Sequence, residues 1–199
     1  MDDNQHHQDG TKNVHAGTNH VGESVNTPIF LSSTYKLTEE RYAGWAAGAQ
    51  HTLLYSRISS VNSDAVAQKI CAMEGGEDAE TFASGMAAIS STLMMLLSQG
   101  DHMVASPDVY GGTYGLITEE LPRFGIEVTM ADMTEPSSYE AAIQPNTKIL
   151  YIETITNPNL KVCDIPAMVE IGKRHNLLVI IDNTFASPWA CKPLSMGVD

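Results

Sequence analysis

The sequence has few cysteines, little positive charge and no long apolar run, and each shortage excludes a class of protein. Its three cysteines, Cys71, Cys163 and Cys191, are widely spaced and form no C-x-x-C pair, so neither a disulfide framework nor a thiolate metal site is indicated. Lys and Arg number 11 against 24 Asp and Glu, and the net charge of −13 repels the phosphates of nucleic acid and anionic membranes. No apolar run reaches the roughly 18 residues of a membrane-spanning helix.

Signatures of other protein classes are missing as well. Met1 is followed by acidic and polar residues rather than by a signal peptide, so we expect a cytoplasmic protein. The histidines near the N-terminus lack the regular spacing of metal ligands, so we expect no metal site. Neither G-x-G-x-x-G nor G-x-x-x-x-G-K-[ST] occurs, so a nucleotide-binding α/β domain lacks its usual glycine signature.

What the sequence does have is a continuous aliphatic run over residues 177–181, which ends in the carboxylate of Asp182. The run shows neither helical periodicity nor alternation, so we predict a buried central strand, as in parallel sheets packed between helices. Ligands of open α/β sheets bind at the carboxyl ends of the strands, which makes Asp182 a candidate binding residue. A cap on the following turn is the alternative for this side chain.

Strands and helices alternate along most of the chain, and 199 residues with 43% hydrophobic content suffice for one large domain. We predict an α/β fold, a mostly parallel sheet flanked by helices, preceded by an extended N-terminal arm. The arm covers 1–60, with 1–12 disordered and the small residues 44–49 as a flexible connection, and the sheet domain covers 61–199. The predicted strands are 80–83, 102–105, 126–130, 148–153 and 177–181. Helices are predicted after a Ser63-Asp64 cap, over 86–97, up to Phe124, after a capping box at 137–140, and over 164–175.

A predicted strand, a small-residue turn and an apolar helix meet at Ser84, Gly85 and Met86. Free backbone N–H groups at the helix start, together with the Ser84 hydroxyl, suit a phosphate, and only small residues let a phosphate approach so closely. An ordinary strand-to-helix turn explains the same pattern.

Further candidates lie near the ends of other strands. Tyr110 stands beside two glycines and can present a flat ring to a flat ligand, or it is simply a half-buried tyrosine. Glu153 and Asn157 leave a strand that should neighbour the aliphatic one, so both can reach the crevice at Asp182. Asn157, which precedes a proline, is equally a turn former. An Arg beside a Tyr at Arg57 is most simply a surface contact.

A phosphate cup, a ring to stack, an amide and a carboxylate are what pyridoxal phosphate requires. Its phosphate suits a helix N-terminus and its ring a planar neighbour. Its pyridine nitrogen stays protonated only beside a carboxylate, which makes the ring an electron sink.

Five segments also occur in an order and at separations typical of one family: Tyr55-Ser56-Arg57, ASGMAAI at 83–89, VYGGT at 109–113, ETITNP at 153–158 and VIIDNTF at 179–185. In these segments the chain resembles the N-terminal half of the Cys/Met-metabolism pyridoxal-phosphate enzymes, which include cystathionine γ-synthase, cystathionine γ-lyase, methionine γ-lyase and O-acetylhomoserine sulfhydrylase. The resemblance implies an aspartate-aminotransferase-like domain of fold type I, incomplete at its C-terminal end, with pyridoxal 5'-phosphate as cofactor. It also implies a homo-oligomer, a dimer with shared active sites that forms a tetramer.

The resemblance assigns roles by position. Ser84, Gly85 and Met86 would hold the phosphate, and Tyr110 would stack on the ring. Asn157 would bond the ring hydroxyl, with Glu153 among the cofactor-binding residues. Asp182 would pair with the pyridine nitrogen, and Tyr55 and Arg57 would reach the phosphate of a neighbouring subunit. Tyr110 and Asp182 would be the catalytic residues of this chain.

The chain departs from the family pattern in two places. Residues 58–62 read ISSVN where members commonly have Asn-Pro-Thr, and none of the seven lysines stands in the Ser-x-Thr-Lys setting of the Schiff-base lysine. We therefore expect the complete protein to be a carbon–sulfur lyase or transferase acting by γ-elimination or γ-replacement on cystathionine, methionine or an O-acylhomoserine. The 199 residues alone are expected to be inactive. Gly112 stands where methionine γ-lyases often carry a cysteine, which favours cystathionine-type or sulfhydrylase chemistry. A truncated, non-catalytic homologue that acts as a binding partner is the alternative.

Overall fold

The computed structural model describes residues 9–18, 24–49 and 52–199. The chain divides into two compact units, Met1–Thr81 and Phe82–Asp199. From the sequence we predicted that an N-terminal arm ends at residue 60 and that a cofactor-binding domain follows. The two compact units do not test that boundary, and it stays a prediction.

In its described part the first unit contains helices α1 (Asp9–His15), α2 (Glu39–Ala46) and α3 (Val61–Glu74). Residues 9–12, which the sequence placed in a disordered segment, begin α1, and residues 1–8 lie outside the described part. Helices α1 and α3 pack closely where Gly17 passes α3 with a φ of +69°. A Cβ there would lie 2.4 Å from the carbonyl oxygen of Ala65, so only glycine fits.

The chain that precedes α3 is largely extended, as predicted, and it is held to the start of that helix. The backbone N–H of Phe30 donates to Asn62 Oδ1 at 2.8 Å, and Asn62 Nδ2 donates to the carbonyl of Pro28 at 2.9 Å. An isolated antiparallel bridge joins Thr34 to Tyr55. The Asn62 side chain and this short bridge therefore hold the segment in place.

Two local predictions for the first unit were wrong. The segment expected to be a flexible connection includes Gly44, which lies inside α2 because Thr38 caps that helix. Helix α3 begins earlier than expected, since Ser60 rather than Ser63-Asp64 is its N-cap. The Ser60 hydroxyl accepts from the N–H of Ser63 at 3.1 Å, and the Ser63 hydroxyl accepts from the N–H of Ser60 at 3.2 Å. The helix ends, as predicted, at a left-handed Gly75.

The second unit is built on a parallel sheet of four strands, which confirms the predicted fold class. Its strands are β1 (His102–Ala105), β2 (Glu127–Met130), β3 (Thr147–Glu153) and β4 (Leu178–Asp182), in the order β2-β1-β3-β4. The helices are α4 (Gly85–Leu96), α5 (Gly111–Gly115, continued by a π turn over Leu116–Glu120 and a 3-10 turn over Leu121–Phe124), α6 (Pro136–Ala141), α7 (Ile165–His175) and α8 (Ser187–Ala190), followed by a 3-10 turn over Pro193–Met196.

Helices cover both faces of this sheet, so β3 is buried on both sides. Ile149 and Tyr151 belong to the core formed with α4 and α5, whereas Leu150 and Ile152 belong to the core formed with α6 and α7. Alternate residues of one strand thus fill two separate cores. Within the described ranges, no helix is long and apolar enough to cross a membrane.

Three local predictions for the second unit were wrong. Among the four described strands β4 pairs with β3 alone and is not central, because apolar periodicity reports whether the faces of a strand are covered but not whether its edges are paired. Residues 80–83 pair with no described strand. The expected capping box at 137–140 does not form, because α6 begins at Pro136 and its N-cap, Glu135, makes no side-chain bond. The Ser138 hydroxyl instead accepts from the N–H of Asp132 at 2.9 Å.

Candidate active site

A cavity of about 330 Å³ opens where β1, β3 and β4 end and α4 begins. This volume is within the range of small-molecule sites, and the carboxyl end of a parallel sheet is where such sites form. The cavity brings together seven of the residues singled out from the sequence: Ser84, Gly85, Met86, Tyr110, Glu153, Asn157 and Asp182.

The start of α4 forms one wall of the cavity and presents unpaired donors. Ser84 is the N-cap, and its hydroxyl accepts from the N–H of Ala87 at 3.1 Å. The N–H groups of Gly85 and Met86 stand in the first turn, where no intrahelical acceptor exists. A Cβ built on Gly85 would meet nothing within 4 Å, so the backbone is open to a ligand at this point. The wall is therefore suited to a phosphate.

Tyr110 forms the next wall, and Gly112 determines where its ring lies. The ring is 46% exposed. A Cβ on Gly112 would lie 2.7 Å from Tyr110 Cε1 and 2.9 Å from Met86 Sδ. The lack of a side chain at 112 thus allows Tyr110 and Met86 to approach each other beside the cavity.

Glu153 ties together the loops that follow β1 and β3. Its side chain is buried, with Oε1 accepting from the N–H of Tyr110 at 2.8 Å and Oε2 from the N–H of Asn157 at 3.3 Å. Burial raises the pKa of the Glu153 carboxyl above its usual value. The negative charge of Asp182 adds to this rise in pKa, while the two backbone donors oppose it. Both carboxylate oxygens are engaged by the loops that carry the ring and amide candidates.

Asp182 ends β4 and is half-buried rather than fully buried. Its Oδ1 accepts from the N–H of Thr184 at 2.9 Å and also from the Thr184 hydroxyl. The turn-cap interpretation therefore applies to this one oxygen, and Oδ2 remains for a ligand in the cavity. The structure thus confirms the turn-cap interpretation through Oδ1, and the binding role of Asp182 stays a prediction.

Tyr55 and Arg57 belong to the first unit, and the described residues that line the cavity belong to the second. Arg57 Nη2 donates to the Tyr55 hydroxyl at 3.1 Å, and the guanidinium carbon lies 5.2 Å from the centroid of that ring. Among the described residues that line the cavity there is no lysine. In the described part of the chain, no cluster of His, Cys, Asp and Glu is arranged to hold a metal ion.

Four further residues of the lining were missed from the sequence: Ile89, Ile155, Thr184 and Phe185. A signal for Thr184 was present, because a hydroxyl residue two positions after an Asp commonly closes an Asx-type turn. Ile89 lies one helical turn after Gly85, so both residues lie on the face of α4 that borders the cavity.

Comparison with known proteins identifies the family to which this chain belongs. The sequence profile described as Cys/Met metabolism PLP-dependent enzyme matches residues 10–199. The chain belongs to this family. Its cofactor, as the description states, is pyridoxal phosphate (PLP), which agrees with the cofactor expected from the sequence.

The chain is similar to several members of known type. It is 39% identical over 193 residues to the L-methionine gamma-lyase of Porphyromonas gingivalis, with 95% of this chain and 48% of that protein covered. It is 48% identical over 177 residues to a cystathionine beta-lyase of Bacillus subtilis, with 88% of this chain and 43% of that protein covered. The chain thus spans about half the length of these relatives.

A solved structure supports the fold assignment. A Campylobacter jejuni structure assigned as an O-acetylhomoserine (thiol)-lyase, with pyridoxyl-lysine phosphate, superimposes with a TM-score of 0.90 at 34% identity. The match covers 97% of this chain and 48% of that one. The parallel sheet and its helices therefore have the fold of type I PLP enzymes and match about half of the Campylobacter jejuni chain.

Proposed function

We propose that this chain forms the cofactor-binding part of an enzyme that cleaves or exchanges a carbon–sulfur bond in sulfur amino-acid metabolism. The observation that carries the proposal is that four kinds of group line one cavity. These groups are helix N–H donors, an aromatic ring, an amide and a carboxylate.

The residues present fit PLP group by group. The N–H groups of Gly85 and Met86, with the Ser84 hydroxyl, bind the phosphate. Tyr110 stacks on the ring, and the Asn157 amide bonds the ring hydroxyl. The open space at Gly85, which a Cβ would occupy, supports this fit without reference to any relative.

Asp182 has the central chemical role in this proposal. Its Oδ2 holds a proton on the pyridine nitrogen, and the bond from Thr184 to Oδ1 fixes the carboxylate plane. When bound, PLP supplies an electron sink for charge that develops at the substrate α-carbon. Glu153 is proposed to act on the cofactor indirectly, by holding the Tyr110 and Asn157 loops.

The proposed substrates are small sulfur amino acids or activated homoserines: cystathionine, methionine or an O-acylhomoserine. The proposed reactions are γ-elimination and γ-replacement. The relatives named above act on methionine and cystathionine, which supports this substrate class. Gly112 stands where methionine γ-lyases often carry a cysteine, which supports cystathionine-type or sulfhydrylase chemistry.

The proposal includes an assembly and a location. The complete protein is a cytoplasmic homo-oligomer, in which Tyr55 and Arg57 of one subunit reach the phosphate held by Ser84, Gly85 and Met86 of another. The exposed guanidinium of Arg57 supports this arrangement.

Spectroscopy of the complete protein tests the proposal. We expect a visible absorption band of bound PLP. For Asp182→Asn we expect turnover to fall about a hundredfold while some cofactor is retained, because an uncharged partner no longer keeps the pyridine nitrogen protonated. Glu140→Gln, which alters an exposed ion pair with Arg174, is the control and should behave as the parent. A folded parent without any cofactor band would refute the proposal, and parent-like turnover of Asp182→Asn would reduce Asp182 to a turn cap.

The non-catalytic alternative is tested with the 199-residue chain itself. Because no lysine lines the cavity, we expect PLP to bind non-covalently at most, and borohydride reduction should attach no cofactor to the chain. Cofactor fixed to a peptide of this chain, detected by mass spectrometry, would contradict this expectation. A complete coding frame that gives PLP-dependent turnover would remove the non-catalytic alternative.

A further inference from the structure

The loops that carry Tyr110 and Asn157 are joined at a second point, outside the cavity. Asp108 accepts from Asn159 Nδ2 through Oδ1 and from Lys161 Nζ through Oδ2, both at 2.6 Å. Asp108 stands two residues before Tyr110, and Asn159 two residues after Asn157. The carboxylate thus bridges the same two loops that Glu153 joins from within.

We propose that Asp108, Asn159 and Lys161 form an outer clamp that holds Tyr110 and Asn157 at the separation the cofactor ring requires. The inference rests on the proposed function, because it assumes that these two side chains contact PLP. It assigns positioning roles to three residues that make no contact with the cofactor themselves.

Both sides of the outer clamp are anchored to buried groups. The N–H of Asp108 donates to the hydroxyl of Ser106, which is fully buried, at 3.1 Å. On the other loop, the N–H of Lys161 donates to the hydroxyl of fully buried Thr156 at 3.0 Å, and the N–H of Thr156 donates to the carbonyl of Lys161 at 2.9 Å. A movement at the ion pair is therefore transmitted to the backbone of both loops.

The outer clamp differs from an ordinary surface ion pair in what it connects. The Asp108 side chain is 17% exposed, while that of Lys161 is 38% exposed. The Lys161 hydrogen bond lowers the pKa of Asp108, and the same bond raises the pKa of Lys161, so both stay charged near neutral pH. Exposed ion pairs contribute little to folding stability. The expected consequence of breaking this one is accordingly a loosened site rather than an unfolded protein.

The neighbouring charges do not substitute for the pair. Asp132 is the other acidic group that acts on Lys161, and its own Oδ1 is engaged by the N–H and hydroxyl of Thr134. Glu153 is buried on the inner side, with both oxygens occupied by backbone donors. In the described part of the chain, the side-chain hydrogen bond of Lys161 Nζ goes to Asp108, so removal of Asp108 breaks that contact.

The test compares four single variants and one double variant of the complete PLP-binding protein. Asp108→Asn and Lys161→Met break the ion pair, and Lys161→Arg keeps its charge. Glu140→Gln is a matched control, since Glu140 also binds two partners, Arg174 and His175. The measurements are the PLP dissociation constant, the visible circular dichroism of the bound cofactor and the thermal unfolding of the apoprotein.

We expect Asp108→Asn and Lys161→Met each to weaken PLP binding about tenfold and to reduce the circular dichroism per bound cofactor. The double variant should be no worse than either single variant, because both remove one interaction. Lys161→Arg and Glu140→Gln should bind PLP as the parent does, and apoprotein unfolding should change little in the whole set.

Three results would overturn the inference. Parent-like PLP affinity and circular dichroism in Asp108→Asn and Lys161→Met would contradict the outer clamp and leave the proposed function intact. Additive losses in the double variant, or a loss that Lys161→Arg fails to avoid, would show that the two side chains act separately. A folded parent that binds no PLP would overturn the inference together with the proposed function.

Discussion

At the scale of single residues, the addition of one methyl group at Gly112 has the clearest expected effect on PLP binding. The atoms that a Cβ would meet, Tyr110 Cε1 at 2.7 Å and Met86 Sδ at 2.9 Å, are the far ends of side chains. Such ends can move without disturbing the backbone, so Gly112→Ala should fold normally. The Tyr110 ring should be displaced, and PLP affinity should fall by up to about tenfold as stacking is lost.

The neighbouring glycine provides the control for this prediction. A Cβ on Gly111 would meet nothing within 4 Å, so Gly111→Ala should bind PLP as the parent does. Titration of both apoproteins with PLP, followed by absorbance, makes the comparison. Equal affinities for the two variants would show that the Tyr110 position does not depend on Gly112.

His102 gives a second residue-scale prediction, at the opposite end of the sheet from the site. The ring is fully buried, with Nδ1 2.7 Å from Thr147 Oγ1 and Nε2 2.8 Å from Thr129 Oγ1. Burial lowers the pKa of His102 below 6.5, and the charge of Glu127 opposes that shift only in part. The unfolded chain therefore binds this proton first as pH falls, so His102 makes the free energy of unfolding decrease below about pH 6.5.

Denaturant unfolding between pH 5 and 8 measures this effect. His102→Gln should reduce the slope of unfolding free energy against pH in the acid range, although it lowers stability at all pH values. His175→Gln, which removes an exposed histidine paired with Glu140, is the control. A slope that is the same in His102→Gln and in the parent would assign the acid sensitivity to other groups.

At the scale of elements, the start of α4 combines helix capping with ligand binding, and the two can be separated. Ser84 caps α4 and Asp164 caps α7, each through a bond to the third residue of its helix. Ser84→Ala and Asp164→Ala should therefore each cost about 1 kcal/mol of folding stability. Of the two, Ser84→Ala alone should also weaken PLP binding, because α4 begins at the cavity and α7 does not. Equal PLP affinity in the two variants would contradict a phosphate site at α4.

Elements with uninterrupted apolar runs between clear stops were predicted well from the sequence. Strand β1 and helix α7 match their predicted bounds to within a residue, because burial, caps and breakers are local signals. The interior position assigned to β4 and the strand assigned to 80–83 failed for a common reason. Strand order depends on partners distant in sequence, which a local pattern does not report.

The site shows the same division between local and distant information. Ser84, Asn157 and Asp182 were predicted together, because each has a side chain suited to PLP at a strand end or helix start. The bridging roles of Glu153 and Asp108 were not predicted. They depend on where the N–H groups and side chains of two loops point after folding, and no spacing in the sequence encodes this.

At the scale of the whole molecule, the proposed shared site makes a prediction about mixed oligomers. If Arg57 serves a neighbour's phosphate, a dimer of one Arg57→Ala and one Asp182→Asn subunit has one site with both lesions and one with neither. An equal mixture of the two inactive proteins should then regain about a quarter of the parent activity. The measurement is turnover after verified subunit exchange.

A second mixture controls for this result. Tyr110 and Asp182 line the same cavity of one chain, so Tyr110→Ala mixed with Asp182→Asn should stay inactive. Failure of the first mixture to regain activity would show that Arg57 and Asp182 act within one chain, and the shared site would have to be abandoned.

The two ends of the parallel sheet also differ in what they allow a protein engineer to change. The buried ring of His102 links the amino ends of β1 and β3 through Thr147 and also bonds Thr129 of β2, and these three side chains form the foundation of the sheet. The carboxyl ends continue into loops whose side chains define the cavity. A library that varies only those loops, and keeps the foundation, the two bridging carboxylates and the side chains proposed to bind PLP, should sample new substrate preferences with few losses to misfolding. The separation of foundation from loops makes this sheet a platform on which selectivity can evolve without loss of the fold.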